Sequence, residues 1–111
     1  MRQNLAIFSQ PLTLTADVSK YTFVDLSGAN AAPGGYALGS VITNGDAGDT
    51  VTVDVIGTAQ VIAGAAISVG AEIEVGPNGK AITKTTGKTV ARAFEAASGD
   101  GSVLEVLLLP S

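Results

Sequence analysis

Residues 50–56 carry the clearest alternation in the chain: Val51, Val53 and Val55 fall on one side of an extended chain, Thr50, Thr52 and Asp54 on the other. A period of two is the signature of a strand with one buried and one solvated face. The same period runs through residues 12–18, where Leu12, Leu14, Ala16 and Val18 interleave with Thr13, Thr15 and Asp17. Shorter apolar runs at 21–26, 36–43, 59–63, 72–75, 80–85, 89–95 and 102–109 also read as strands, on their valines, isoleucines, threonines and aromatics. Two stretches are less decided. Residues 65–70 suit either a helical turn or a tight loop, and Ala91, Ala93, Ala96 and Ala97 give residues 90–97 a helical alternative.

Between these runs the chain carries turn chemistry. Ser27-Gly28-Ala29-Asn30-Ala31-Ala32-Pro33-Gly34-Gly35 is a loop, and Asn44-Gly45 opens a second turn. Gly57 permits a kink or bulge after the clean alternation, and Gly76-Pro77-Asn78-Gly79 predicts a hairpin connection. Many short strands about ten residues apart predict an all-β fold, a small β-barrel or sandwich. Residues 1–11 read as an extended N-terminal arm, with Leu5, Ile7 and Phe8 as apolar anchors and Pro11 suited to an edge segment. Residues 12–111 then form a single β domain. No internal repeat is evident in the residues themselves.

Composition narrows the function. The chain has no histidine, cysteine or tryptophan among its 111 residues, so imidazole and thiolate chemistry are absent. A binding or structural protein is the expectation, and not an enzyme. Only 14% of residues are charged while 46% are hydrophobic, which suggests that part of the surface is covered by neighbours. The net charge of −4 argues against nucleic acid as a partner. The apolar stretch at residues 61–71 is broken by Gly64, Ser68 and Gly70 and predicts no membrane span. A soluble cytoplasmic product is the default expectation.

Charge is unevenly distributed along the chain. Residues 25–74 hold six acids and no base, and residues 75–94 hold Lys80, Lys84, Lys88 and Arg92 and no acid. Segregation of this kind could give one subunit two oppositely charged surfaces suited to head-to-tail contact. The plainer alternative is neutralisation between paired strands, with each exposed pair contributing ~0–1 kcal/mol.

Other candidate chemistry is weaker. Asn44, Asp46 and Asp49 lack the alternate spacing and terminal glutamate of an EF-hand, and read as turn residues capping backbone N–H groups. Gly79-Lys80 is no phosphate loop, because Glu74 and Ala81 stand where glycine and Ser/Thr are needed. Glu72 and Glu74 share a strand face and read as solvated. No catalytic, cofactor-binding or metal site is expected.

Several segments carry a resemblance: Ala47-Gly48-Asp49-Thr50-Val51-Thr52-Val53, Val55-Ile56-Gly57, Val69-Gly70-Ala71-Glu72-Ile73 and Asn78-Gly79-Lys80. With Val90-Ala91-Arg92-Ala93-Phe94-Glu95-Ala96-Ala97 and Val103-Leu104-Glu105-Val106-Leu107-Leu108, the chain resembles the tailed-bacteriophage capsid decoration, or cement, proteins. That family was long labelled in phage genomes as a domain of unknown function. The resemblance implies a structural virion protein on the capsid exterior, made in the host cytoplasm, that bridges and stabilises subunits of the major capsid protein. It also implies a homo-oligomer, with a trimer favoured. The expected interface comprises Arg2, Leu5, Ile7, Phe8 and Pro11 on the arm, with Lys80, Lys84, Lys88 and Arg92 setting orientation. Two rival readings are another phage virion module, of tail or baseplate, and a carbohydrate- or ligand-binding β domain.

Overall fold

The computed structural model describes residues 6–108, without the side chains of residues 6–9 and Ile56. It is all-β. The strands are β1 (Ala6–Thr13), β2 (Phe23–Val24), β3 (Gly39–Val41), β4 (Thr50–Ile62), β5 (Glu72–Val75), β6 (Ala81–Thr83), β7 (Ala91–Ala93) and β8 (Val103–Leu108). Neighbouring strands pair antiparallel in the order β2-β3-β4-β8-β7-β5-β6, and β1 pairs with β4. Residues 90–97 are not helical: Ala91, Arg92 and Ala93 form β7 between β5 and β8.

Strand β4 organises the molecule. Its residues 50–57 pair with β1, residues 53–54 also pair with β3, and residues 57–62 pair with β8. Gly57, expected as a kink or bulge, lies inside a continuous 13-residue strand, beside a register irregularity in the pairing with β1. Its φ of 109° is open to glycine and strained for other residues, so the strand changes course there without ending. Beyond β4, Ala63 bridges Ala81 in parallel and the Gly64 N–H donates to the Ala81 carbonyl at 2.8 Å. Those contacts close the run β4-β8-β7-β5-β6 into a small barrel.

Two cores follow from this layout. Leu14, Val18, Val24, Val41, Val51 and Val53 pack together beside the first half of β4. Inside the barrel, Ala59, Val61, Ile73, Val75, Ala91, Leu104 and Val106 form the larger cluster, joined by Phe23. Phe23 and Val24 are adjacent in β2 and serve different cores, because successive side chains of a strand point to opposite faces. Small alanines suit the narrow barrel interior. Asp54, expected on a solvated face, is buried where Ser9 of β1 and Ser40 of β3 flank it.

The structure contains a repeat that the residues conceal. Turns close at Asp46–Asp49, Ser68–Ala71 and Gly99–Ser102, each with the last N–H donating to the first carbonyl. The third residue of each, Gly48, Gly70 and Gly101, has a φ of 93°, 82° and 89°, as a type II turn requires. Residues 19–22 follow the same course, with Tyr21 at φ 66° and the Thr22 hydroxyl donating to the Ser19 carbonyl. Each turn delivers the chain into a strand, β2, β4, β5 or β8.

Candidate functional site

The four turns meet in two pairs, at the two ends of β4. Before its first residue, the Val18 N–H donates to the Gly45 carbonyl at 2.9 Å and Gly45 returns the bond at 3.1 Å. After its last residue, Ile67 and Ala97 exchange the same two bonds at 3.0 and 2.9 Å. A straight strand of this length would span roughly 40 Å at ~3.3 Å per residue, more than the longest molecular dimension of 35 Å. Strand β4 bends between the pairs: the N–H of its last residue, Ile62, donates to the Tyr21 carbonyl of the first pair at 2.8 Å, so the two form separate turn clusters, or poles, on a folded strand.

One pole is acidic and hydrogen-bonded through side chains. Asp17 Oδ1 accepts the Ala47 N–H at 3.0 Å, Asn44 Oδ1 the Lys20 N–H at 2.7 Å, and Asp49 Oδ2 the Asp46 N–H at 2.9 Å. These oxygens cap turn backbone, as expected for Asx residues in turns. A polar groove of about 610 Å³ opens beside this pole, lined by Ser19, Thr22, Asn30, Asn44, Asn78 and Lys80 among others. None of its lining residues is aromatic, so it lacks the flat π-face on which a sugar ring stacks.

The other pole is apolar. Ala65, Ala66, Ser68, Val69, Gly70, Phe94, Ala96 and Ser98 are all exposed, Val69 at 65% and Phe94 at 49%. These two side chains each lie one residue from the bond that joins the Gly70 N–H to the Ala93 carbonyl at 2.8 Å. The guanidinium of Arg92 donates to the Gly70 carbonyl at 3.0 Å and marks the rim. Glu95, half-buried, accepts the Glu105 N–H at 2.8 Å. Among the described side chains, the other large exposed apolar residues, Leu26 and Tyr36, stand on separate loops.

The expected interface residues are distributed as follows. Arg2 and Leu5, and the side chains of Ile7 and Phe8, lie outside the described residues. The arm's backbone from residue 6 onward is part of β1, so that strand crosses the boundary drawn between residues 11 and 12. Pro11 is exposed and opposite Thr52, on a strand paired with β4 at the margin of the sheet. Lys84, Lys88 and Arg92 are exposed. Lys80 forms an ion pair with Asp100 at 3.0 Å, and Arg92 stands in register with Glu72, whose carbonyl accepts the Lys84 N–H. Part of the basic run is thus matched locally by acids.

Glu74 departs from the solvated position expected for it. It is buried and accepts bonds from the N–H and hydroxyl of Thr85 and the N–H of Gly87. Those bonds, the Thr85 N–H foremost, hold its pKa below the ordinary 4.5 against the opposing effect of burial. Its role is to fasten the loop between β6 and β7. Glu72, by contrast, is exposed and accepts the Thr89 hydroxyl at 3.2 Å.

The sequence of residues 3–108 matches the model of the phage cement protein family. The chain belongs to that family. The cement protein's fold is similar to the crystal structure described as the head fiber gp8.5 N base in bacteriophage phi29, with a TM-score of 0.77 and 22% identity. The likeness covers 92% of this chain and 93% of that one. Comparison with curated proteins gives no match. As a cement protein it is a phage structural protein.

Proposed function

We propose that this cement protein binds the outer surface of an icosahedral phage head and stabilises it by bridging subunits of the major capsid protein. The observation that carries the reading is the family match over nearly the whole chain. The fold, shared with the base of a phage head fiber, is consistent with it. A static part of this kind needs surfaces and no group that must titrate or oxidise, which suits a chain without histidine or cysteine. We assign it no catalytic role. Its place is the virion exterior, after synthesis in the host cytoplasm.

Bridging requires at least two contacts per copy, and weak contacts suffice when several engage one lattice. In this reading the protein acts as a homo-oligomer, with a trimer favoured, and its N-terminal arm takes part in the clamp. Leu5, Ile7 and Phe8 would each contribute ~1.5–3 kcal/mol if fully buried on a neighbour. Lys84, Lys88 and Arg92 orient the docked copy against acidic partners. Heads lacking the protein test the reading. Added protein should bind them in saturable fashion and raise their thermal disruption temperature, and deletion of residues 1–10 should lower both occupancy and oligomer size. Heads that gain neither bound protein nor stability would rule it out.

A further inference from the structure

Strand β1 pairs with β4 on one side, and among the described residues no strand pairs with its other edge. Peptide groups along an antiparallel strand point alternately toward the partner and away from it. Leu14 sets the phase: its N–H donates to the Asp49 carbonyl and its carbonyl accepts the Gly48 N–H, each at 2.8 Å. Gln10 and Leu12 therefore also bond toward β4, and Ser9, Pro11 and Thr13 turn their peptide groups to the free edge. The Thr13 hydroxyl lies 3.2 Å from that of Thr50 opposite, the close side-chain approach of a non-hydrogen-bonded pair. Two residues further on, the Thr15 N–H donates away from β4, to the Gly28 carbonyl at 2.9 Å.

A free edge is a template for another strand, and this one is obstructed along its length. At one end the Ser27–Gly28 loop covers it. The Thr15 hydroxyl donates to the Ser27 carbonyl at 2.9 Å, and a Cβ on Gly28 would lie 2.5 Å from the Thr13 carbonyl oxygen. At the other end the pairing with β4 shifts register twice between Ala6 and Ser9, and bulges of this kind turn an edge out of line. Between the two stands Pro11, exposed, with no N–H to offer and a ring where a neighbouring strand's carbonyl would approach. We propose that Pro11 holds shut a strand-pairing edge on β1, and that the strand it excludes is the same edge of a second copy. Identical edges meet about a two-fold axis. With position 11 at that axis two prolines oppose each other, and both central bonds are lost. Crowded copies then touch through side chains and do not merge their sheets.

Pro11→Thr and Pro11→Ala each restore the missing donor without altering a bond to β4. Both should match the wild type in circular dichroism. Both should self-associate about tenfold or more tightly in sedimentation, through two added bonds per pair of edges. The Thr13 amide should exchange fast with solvent in the wild type and become protected as either variant associates. Combining Pro11→Thr with Thr13→Pro returns a proline to the same edge and should restore wild-type sedimentation. If that double variant does not fold, protection at Thr13 decides alone. Wild-type sedimentation in folded Pro11→Thr and Pro11→Ala would overturn the proposal. Association that persists in a folded double variant, or that leaves the Thr13 amide unprotected, would place the contact elsewhere and overturn it equally.

Discussion

The acidic and apolar poles differ less in backbone than in how their turns are fastened. Reciprocal backbone bonds join Val18 to Gly45 at one pole and Ile67 to Ala97 at the other, and Gly48 and Gly70 occupy the same left-handed turn position. The acidic pole adds side-chain bonds from Asp17, Asn44 and Asp49 above the smaller core that holds Leu14 and Val18, while the apolar pole rests on the larger barrel core. One framework thus supports two surface chemistries. At the acidic turns the polar side chains are engaged in caps, whereas at the apolar turns Val69 and Phe94 are exposed beside the Arg92 bond to Gly70.

That contrast can be broken at either end. Ile67 is 3% exposed and belongs to the barrel core, so Ile67→Ala should cost about 2–5 kcal/mol in chemical denaturation. In the same variant, amide exchange at Lys20 and Ala47 should keep its protection relative to the barrel. Asp17→Ala removes one exposed cap and should cost about 1 kcal/mol, with faster exchange confined to the turns on either side of Val18 and Gly45. Equal loosening of both poles in either variant would contradict their separate fastening.

The smallest effect concerns neither pole but the barrel between them. The bonds to Glu74 favour its carboxylate, so its contribution is fully present above the ordinary value of 4.5 and is lost as pH falls through the lower folded value. Glu74→Gln should therefore flatten the stability–pH curve below 4.5 while leaving the ordering of the two poles unchanged. Thermal melts above and below that pH measure it, and an unaltered acid slope would remove Glu74 from the account.

Much of this architecture was legible in the residues. Alternation located the first half of β4, and Gly76-Pro77-Asn78-Gly79 marked the β5–β6 connection, where the structure places a 3-10 turn between antiparallel strands. Gly57 marked the change of course within β4, where the β1 pairing shifts register while β8 pairs on through it. The repeat stayed hidden because its bridging positions are Val18, Gly45, Ile67 and Ala97, which share a backbone role and no side chain. Glu72 and Glu74 look equivalent by period, yet the loop after β6 folds over Glu74. The apolar pole was also obscure. Val69 and Phe94 sit in segments whose alanines suited helix or core, and only the pairing of two distant turns shows that their side chains face outward.

A cryo-electron microscopy reconstruction of heads carrying this protein tests the central claim most directly. The account predicts density for the barrel on the outer surface, with each copy touching two or more subunits of the shell. Density that touches a single shell subunit, or no density on the outer surface, would contradict it.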